Sequence, residues 1–299
     1  MSQLILYNYR ISPFSEKIRA MLGYAQLSWQ SVTVMPMPPR PTLDILAGGY
    51  RKIPVAQIGA DVFCDSKMIA RQVARLGNKP ELILENCSPE AQAFSQRVDL
   101  DIFFASLSLL GPGVILTLKR ETSWMGALAF IKDRAGLLGK ATFKPAAGKK
   151  AKAMFMAHLA EMETMLEQEF LFGDAPCAAD FSAYHSLWMV MEVGGKNVVS
   201  DVPAVQAWYA RMRAFGHGGV TSISAEQALD IARDATPAEM DADAGAAQKQ
   251  VSIAPADYAR DPVTGILVAE QAFGWVLQRE HPRVGHVHVH LPKAGYALH

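Results

Sequence analysis

"YRISPFSEKIRAML", residues 9–22, decides how the first part of the chain is read. Ser12 and Ser15 keep the spacing of a redox Cys-x-x-Cys pair at the mouth of a helix, yet both positions carry hydroxyls. In "SEKIRAMLGYA", Ile18, Met21, Leu22 and Ala25 fall at i, i+3, i+4 and i+7, one face of a helix. The run before it, "LILYNY" (4–9), is of β type. Ser12 therefore stands where a strand hands over to a first helical turn, whose N–H groups lack partners and whose end carries partial positive charge. A cysteine there would have its pKa lowered from about 8.5 into roughly the 3.5–7.5 range. A serine cannot form a mixed disulfide, but its hydroxyl can donate to a thiolate that arrives with a ligand. It serves equally as an ordinary helix cap, a role serine favours.

Further strand and helix signals alternate after this stretch. "SVTV" (31–34) reads as a second strand, parallel to the first because a helix joins them. "VMPMPPRP" is expected to be an irregular connection, since proline lacks a donor and fixes its φ. "PVAQI" (54–58) and "DVFC" (61–64) around Gly59-Ala60 read as a hairpin. "DSKMIARQVARLG" opens on the capping residues Asp65 and Ser66 and ends at Gly77-Asn78. The order is βαβ, a proline-rich link, then ββα. From Pro89 to about Phe215 the pattern is helical, with Phe94, Val98 and Ile102, and again Phe155, Leu159, Met162 and Leu166, on the 3.6-residue period. After Gly216-His217-Gly218-Gly219 the character changes to a short helix capped by Ser224, a polar linker "DADAGAAQKQ", and strands in "VSIAPADY", "GILVAEQAFGWVLQRE" and "VGHVHVHLPKAGYAL".

Composition narrows the classes. Lysine plus arginine balance aspartate plus glutamate at 29 each, so no basic surplus points to nucleic acid or anionic lipid. "FKPAAGKKAK" (143–152) gathers lysines without aromatics and reads as a solvated helix start. Cys64, Cys87 and Cys177 show no pairing rhythm, which suits free thiols in a reducing cytoplasm. Met1-Ser2-Gln3 lacks a basic leader, so no signal peptide is expected. The uncharged run from Ile102 to Leu118 is broken at Gly111-Pro112-Gly113 and falls short of the ~20 residues a spanning helix needs, so it reads as a buried helix ending at a turn. A cytoplasmic protein of two or three domains is the expectation.

Two more loops belong with Ser12. In "KIPV" (52–55), a cis Pro54 would turn the Ile53 backbone outward to pair with an extended peptide, whereas a trans proline would simply start a strand. Asp65 and Ser66 open a helix whose N-terminus can hold a carboxylate while Asp65 holds an ammonium, or they can be plain caps. A thiolate donor, a backbone clamp and an α-amino-acid clamp on one sheet edge describe a site for glutathione.

These residues carry a family resemblance. "YNYRISPFSEKIR" is similar to the omega-type "Y-x-x-R-x-C-P-F-x-x-x-x-R" segment of the glutathione S-transferase superfamily, with Ser12 at the cysteine position. "GGYRKIPVAQIGADVFCDS" resembles its "G-K-I-P-V-L … E-S" segment, and "FLFGDAPCAADFSAYHSLW" its helix-6 capping segment, usually "G-x-x-x-S/T-x-A-D". The resemblance implies a multi-domain α+β fold with three parts. These are a thioredoxin-like βαβ-ββα domain over 1–80, an all-helical domain over 88–216, and a small, mainly β appended domain over 220–299 without counterpart in the common members. It implies that Ser12 hydrogen-bonds the glutathione sulfur and Ile53 before Pro54 pairs with the cysteinyl backbone. Asp65 and Ser66 would hold the γ-glutamyl end, with Lys52 near the glycyl carboxylate. It also implies thiolate attack on a small apolar electrophile lying against the helical domain, and a homodimer. Phe103, Phe104, Leu107, Trp124 and Leu128 are candidates to line the electrophile pocket, core packing being the competing role.

Departures shape the reading. Cysteine missing at position 12 argues against disulfide reduction, and Tyr9 is the rival thiolate donor. Cys177 replaces the Ser/Thr cap, and Asp180 at N3 is expected to reach back to the Cys177 N–H. Cys64 is expected to be a small buried residue. In "GHVHVHLP", His286, His288 and His290 share one face of a strand, neighbours about 6.6 Å apart and the outer two about 13 Å apart. An adjacent pair can share a zinc at roughly 2.1 Å, but all three cannot, and a half-buried strand with a polar face is the preferred reading. No metal is assigned. The expected function is glutathione-dependent transfer. A glutathione-, ligand- or partner-binding protein without turnover is the alternative, and a maleylacetoacetate-type isomerase, whose "S-S-C-S-x-R-V-R" loop is lacking, is a third.

Overall fold

The computed structural model describes residues 3–111, 113–240 and 248–299. β1 (Ile5–Asn8), α1 (Pro13–Tyr24) and β2 (Ser28–Thr33) form the first unit, β1 and β2 parallel with Ile5 opposite Gln30. Ile18, Met21 and Leu22 are fully buried, as the helical spacing requires. The proline-rich link leads into α2 (Pro41–Ala47), a helix the sequence pattern did not announce. β3 (Val55–Ile58) and β4 (Asp61–Cys64) form the expected hairpin, and β3 runs antiparallel to β1. α3 (Ser66–Gly77) starts at Asp65 and stops at Asn78, whose left-handed backbone ends the helix. This is a thioredoxin-like βαβ-ββα unit.

The second part is all-helical. It comprises α4 (Pro89–Arg97), α5 (Phe103–Leu109), α6 (Gly113–Glu121), α7 (Trp124–Gly139), α8 (Gly148–Met165), α9 (Ala178–Trp188) and α10 (Pro203–Ala214). A π-helical turn, Val98–Ile102, joins α4 to α5. α5 ends at Leu109, Gly111 has a φ of +65°, and α6 begins at Gly113; Pro112, in the middle of the expected turn, lies outside the described residues. No single helix among the described residues is long and apolar enough to cross a membrane; Pro89–Leu109 and Gly113–Glu121 meet that test only as a pair bent by 102°. The N-cap of α9 lies where the sequence put it, with Asp180 Oδ2 accepting the Cys177 N–H at 3.0 Å.

α1 is bolted to the helical part by buried polar groups as well as apolar ones. Lys17 Nζ donates to Asp99 Oδ2 at 2.7 Å and to Ser182 Oγ at 2.8 Å. Burial, the largest single influence, would raise the Asp99 carboxyl, but the Lys17 ammonium together with His185 and the Ser182 hydroxyl holds the group below its usual range.

The segment beyond residue 216 does more than append a module. β5 (Gly219–Ser222) lies parallel to β2, and α11 (Ala225–Arg233), capped by Ser224 as expected, packs on the sheet. β6 (Gln250–Pro255), β7 (Val263–Glu270), β8 (Gly274–His281), β9 (Gly285–Pro292) and β10 (Tyr296–Leu298) follow. "GILVAEQAFGWVLQRE" is thus two strands rather than one. The expected polar linker falls mainly on 241–247, outside the described residues. β9 pairs in parallel with β4, Phe63 opposite His290, so one ten-stranded sheet results in the order β10-β6-β7-β8-β9-β4-β3-β1-β2-β5. Both edges of the four-stranded N-terminal sheet are thereby covered. Gly218 makes the approach to β2 possible: its φ is +71°, and a Cβ there would stand 2.4 Å from the Leu27 carbonyl oxygen.

One apolar face of this sheet is continuous across the seam. Val62 and Cys64 of β4 share a core with Val287, Val289 and Leu291 of β9 and Leu277 of β8, all essentially unexposed. At roughly 1.5–3 kcal/mol for each fully buried aliphatic side chain, this strip is a major source of adhesion. Burial also pushes the Cys64 thiol pKa up, as befits a small core residue. The β9 histidines lie opposite the valines. His290 Nε2 is 2.7 Å from Asp61 Oδ1 and stacks on Phe63, His288 is half-buried, and His286 is exposed.

Candidate functional site

A cavity of about 300 Å³ opens where α1, the Ile53–Pro54 turn and the N-terminus of α3 converge. The Ile53–Pro54 peptide bond is cis. Asp65 takes a φ of +77°, which aims its carboxylate back over the helix start, and its Oδ1 accepts the Lys67 N–H at 3.0 Å. Lys52, Ile53, Pro54, Asp65 and Ser66, all named from the sequence, line this one space.

Ser12 sits differently. It is the N-cap of α1, with Oγ accepting the Ser15 N–H at 3.2 Å, and it is 1% exposed. The residue of its loop that lines the cavity is Phe14. Among the described residues, no acceptor takes the Ser12 hydroxyl proton, so the group keeps a donor to offer. Tyr9, the rival donor, is half-buried against the cluster around Ile11 and does not line the cavity.

The remaining walls come from parts of the chain that the loop motifs did not mark. From the π-helical turn and α4 come Asp99, Leu100 and Gln96; from the segment beyond 220 come Asp257, Tyr258 and Tyr296. Lys52 Nζ bonds Asp257 Oδ1 at 2.9 Å and lies 4.3 Å from the centre of the Tyr258 ring. Tyr296 donates its hydroxyl to Asp65 Oδ2 at 2.9 Å, and a 2.6 Å bond links it to the Tyr50 hydroxyl. Burial, and after it nearby carboxylates, pushes Tyr258 and Tyr296 above the usual phenol range, so both stay protonated donors. Asp257 and Tyr258 follow β6 in an irregular loop, where no periodic pattern or short motif points at a site.

The candidates for an electrophile pocket separate. Phe103 and Phe104 are buried in an aromatic column running from Phe14 (4.9 Å to Phe103) to Tyr258 (5.5 Å from Phe104). Leu107 is half-buried. Trp124 and Leu128 are 52% and 65% exposed and do not line the cavity.

Chemically, the cavity offers an open peptide edge, a helix N-terminus beside a carboxylate, an ammonium already paired, and two phenols. Such a set has the charges and hydrogen-bonding groups to match a small, peptide-like zwitterion.

Residues 6–81 match the family described as "Glutathione S-transferase, N-terminal domain", and residues 145–211 match "Glutathione S-transferase, C-terminal domain". A solved GST-like protein from Pseudomonas syringae is 31% identical, with 99% of this chain and 100% of that one covered and a TM-score of 0.78. A glutathione S-transferase from Rhodospirillum rubrum shares the fold at 18% identity and TM-score 0.50, covering 71% of this chain and 88% of that one. No curated protein matches the chain.

Proposed function

Because the chain belongs to the glutathione S-transferase superfamily, we propose that it binds glutathione in this cavity and transfers its thiolate to a small apolar electrophile. The Ile53 backbone pairs with the cysteinyl residue, and Asp65 with Ser66 receives the γ-glutamyl end. The Ser12 hydroxyl, oriented by the Ser15 N–H, donates to the sulfur. That bond and the positive end of α1 favour the thiolate over the thiol. The thiolate then forms a sulfur–carbon bond with the electrophile, whose leaving group departs with the bonding pair. The observation that carries the proposal is the convergence of Ile53, Pro54, Asp65 and Ser66 on one cavity beside the Ser12 helix.

The test is glutathione titration by calorimetry, with turnover of an aromatic halide, for the wild type, Ser12→Ala and Ser12→Thr. Loss of one hydrogen bond to a charged sulfur, worth about 1.5–3 kcal/mol, lowers kcat/KM of Ser12→Ala by roughly 10- to 150-fold. Ser12→Thr retains a hydroxyl and keeps most of it. Unchanged turnover in Ser12→Ala removes Ser12 from the mechanism, and absence of glutathione uptake removes the proposal. One observation, the burial of Ser12, favours binding without turnover. Uptake with no transfer in the wild type is the result that selects it.

A further inference from the structure

Lys52 is the cation placed to meet the glycyl carboxylate of a bound tripeptide, yet it already has a carboxylate partner. Asp257 Oδ1 holds its Nζ at 2.9 Å, and Tyr258 and Tyr296 flank that ammonium at 4.3 and 5.7 Å from their ring centres. The pair is only partly exposed, 17% for Lys52 and 35% for Asp257, so solvent screens it incompletely. Asp257 Oδ1 also accepts the Tyr258 N–H at 2.7 Å, which orients the carboxylate toward the cavity wall. The other charges lining the cavity are Asp65, Asp99 and Lys67; Asp99 is neutralised by Lys17. A free carboxylate entering at Lys52 therefore meets a like charge bonded to the very ammonium it needs.

We propose that Asp257 is a specificity-determining residue: it acts as a tethered competitor for Lys52, so that the site does not favour a free terminal carboxylate over a masked one. The proposal rests on the glutathione reading above and adds to it. The preferred ligands extend to γ-glutamyl peptide thiols whose C-terminal carboxylate is esterified or amidated. Such a ligand leaves the Lys52–Asp257 pair intact, whereas glutathione itself must share or displace it.

The experiment measures binding of glutathione and of its glycyl monoethyl ester to the full chain by calorimetry, for the wild type, Asp257→Asn, and Asp257→Asn with Lys52→Met. The readout is the ratio of the ester's Kd to that of the free acid. Because both ligands report on the same preparation, any loosening of the fold in a variant cancels. In the wild type the ratio is near one. Asn keeps the acceptor for Tyr258 but drops the charge, and removing a like charge a few ångströms from the incoming carboxylate raises the ratio about tenfold. Adding Lys52→Met returns it to near one. A ratio already near ten in the wild type, or one that Asp257→Asn leaves unchanged, overturns the assignment while leaving the glutathione reading intact. Failure of every form to bind either ligand overturns the glutathione reading, and this proposal with it.

Discussion

Replacing Asp180 by alanine tests how the helical part is held. The Asp180 carboxylate is fully buried and serves three donors: the Leu171 N–H at 3.0 Å and Trp208 Nε1–H at 2.9 Å on Oδ1, and the Cys177 N–H at 3.0 Å on Oδ2. It ties the start of α9 to the preceding turn and to α10. Asp180→Ala leaves the buried Leu171 N–H and Trp208 Nε1–H, and the part-buried Cys177 N–H, without this partner, at about 1–3 kcal/mol for each buried one, so a loss of roughly 3 kcal/mol follows. Asp180→Asn keeps one oxygen for Leu171 and Trp208 but turns an NH₂ against the Cys177 N–H. It costs about one donor's share, ~1–3 kcal/mol. Urea unfolding should be followed by tryptophan fluorescence, since Trp208 reports locally, and by circular dichroism, because a chain of several parts need not unfold in one step. On heating, the alanine variant melts at least ~6 °C lower, taking about 2–4 °C per kcal/mol for a fold of this order of size. An alanine variant within about 0.5 kcal/mol of the wild type, or an asparagine variant as damaged as the alanine one, refutes the account of three donors sharing one carboxylate.

Other outcomes follow from the same structure. Burial, and for His158 the nearby Arg97 as well, holds His158 and His185 down at about 4 against an ordinary 6.5. The unfolded chain then takes protons that the native state refuses, and stability falls as pH drops from 6.5 towards 4, by up to ~3 kcal/mol per histidine. A urea midpoint that stays flat between pH 7 and pH 4.5 contradicts this. The neighbouring Cys177 thiol holds the Cys87 thiol below the ordinary thiol range, so iodoacetamide modifies Cys87 before Cys64 or Cys177, with a rate midpoint below that of an ordinary thiol. Cys177→Ala returns that midpoint towards the ordinary thiol value, and peptide mapping that finds Cys177 labelled first overturns the assignment. A chain ending at residue 218 exposes the edges of β2 and β4 and the apolar strip around Val62 and Cys64, so it aggregates. A soluble, cooperatively melting fragment would show that strip to be dispensable.

The first 80 residues were legible because local chemistry and tertiary packing agree there. The i, i+3, i+4, i+7 set of α1 is buried, though so are Glu16, Lys17 and Arg19 on its other sides, and Asp65 and Asn78 bound α3 as their side chains and backbone preferences dictate. α2 escaped because seven residues behind a proline run are too few to display a period. Beyond residue 220, alternation in "GHVHVHLP" told strand from loop, and the apolar face from the polar one, although His290 on the polar face is itself buried. It did not tell which edge that strand would join, because the β4–β9 pairing bridges more than 200 residues and leaves no local trace. β5 carried no signal, since all four of its residues are exposed and its place comes from backbone pairing alone. The same limit applied at the cavity. Lys52, Ile53, Pro54, Asp65 and Ser66 belong to loops with recognisable chemistry, whereas Asp257, Tyr258 and Tyr296 reach the cavity only through the way the added strands dock.

That docking joins two problems usually solved separately. A four-stranded sheet of β4, β3, β1 and β2 leaves two rows of unpaired backbone groups, an invitation to association that a protein must cover or blunt. Here the chain covers both rows itself, β5 on one side and β9 on the other. Once β9 lies beside β4, the turn at 293–295 and the start of β10 are carried over the N-terminus of α3, and Tyr296 reaches Asp65. The pairing of β10 with β6 then brings the loop after β6 to Lys52. Protection of the β4 edge and the far wall of the cavity are thus two consequences of the β4–β9 pairing. Any ligand that binds between those walls adds its binding free energy to the seam. A change that weakens the seam must, by the same linkage, weaken the ligand's hold.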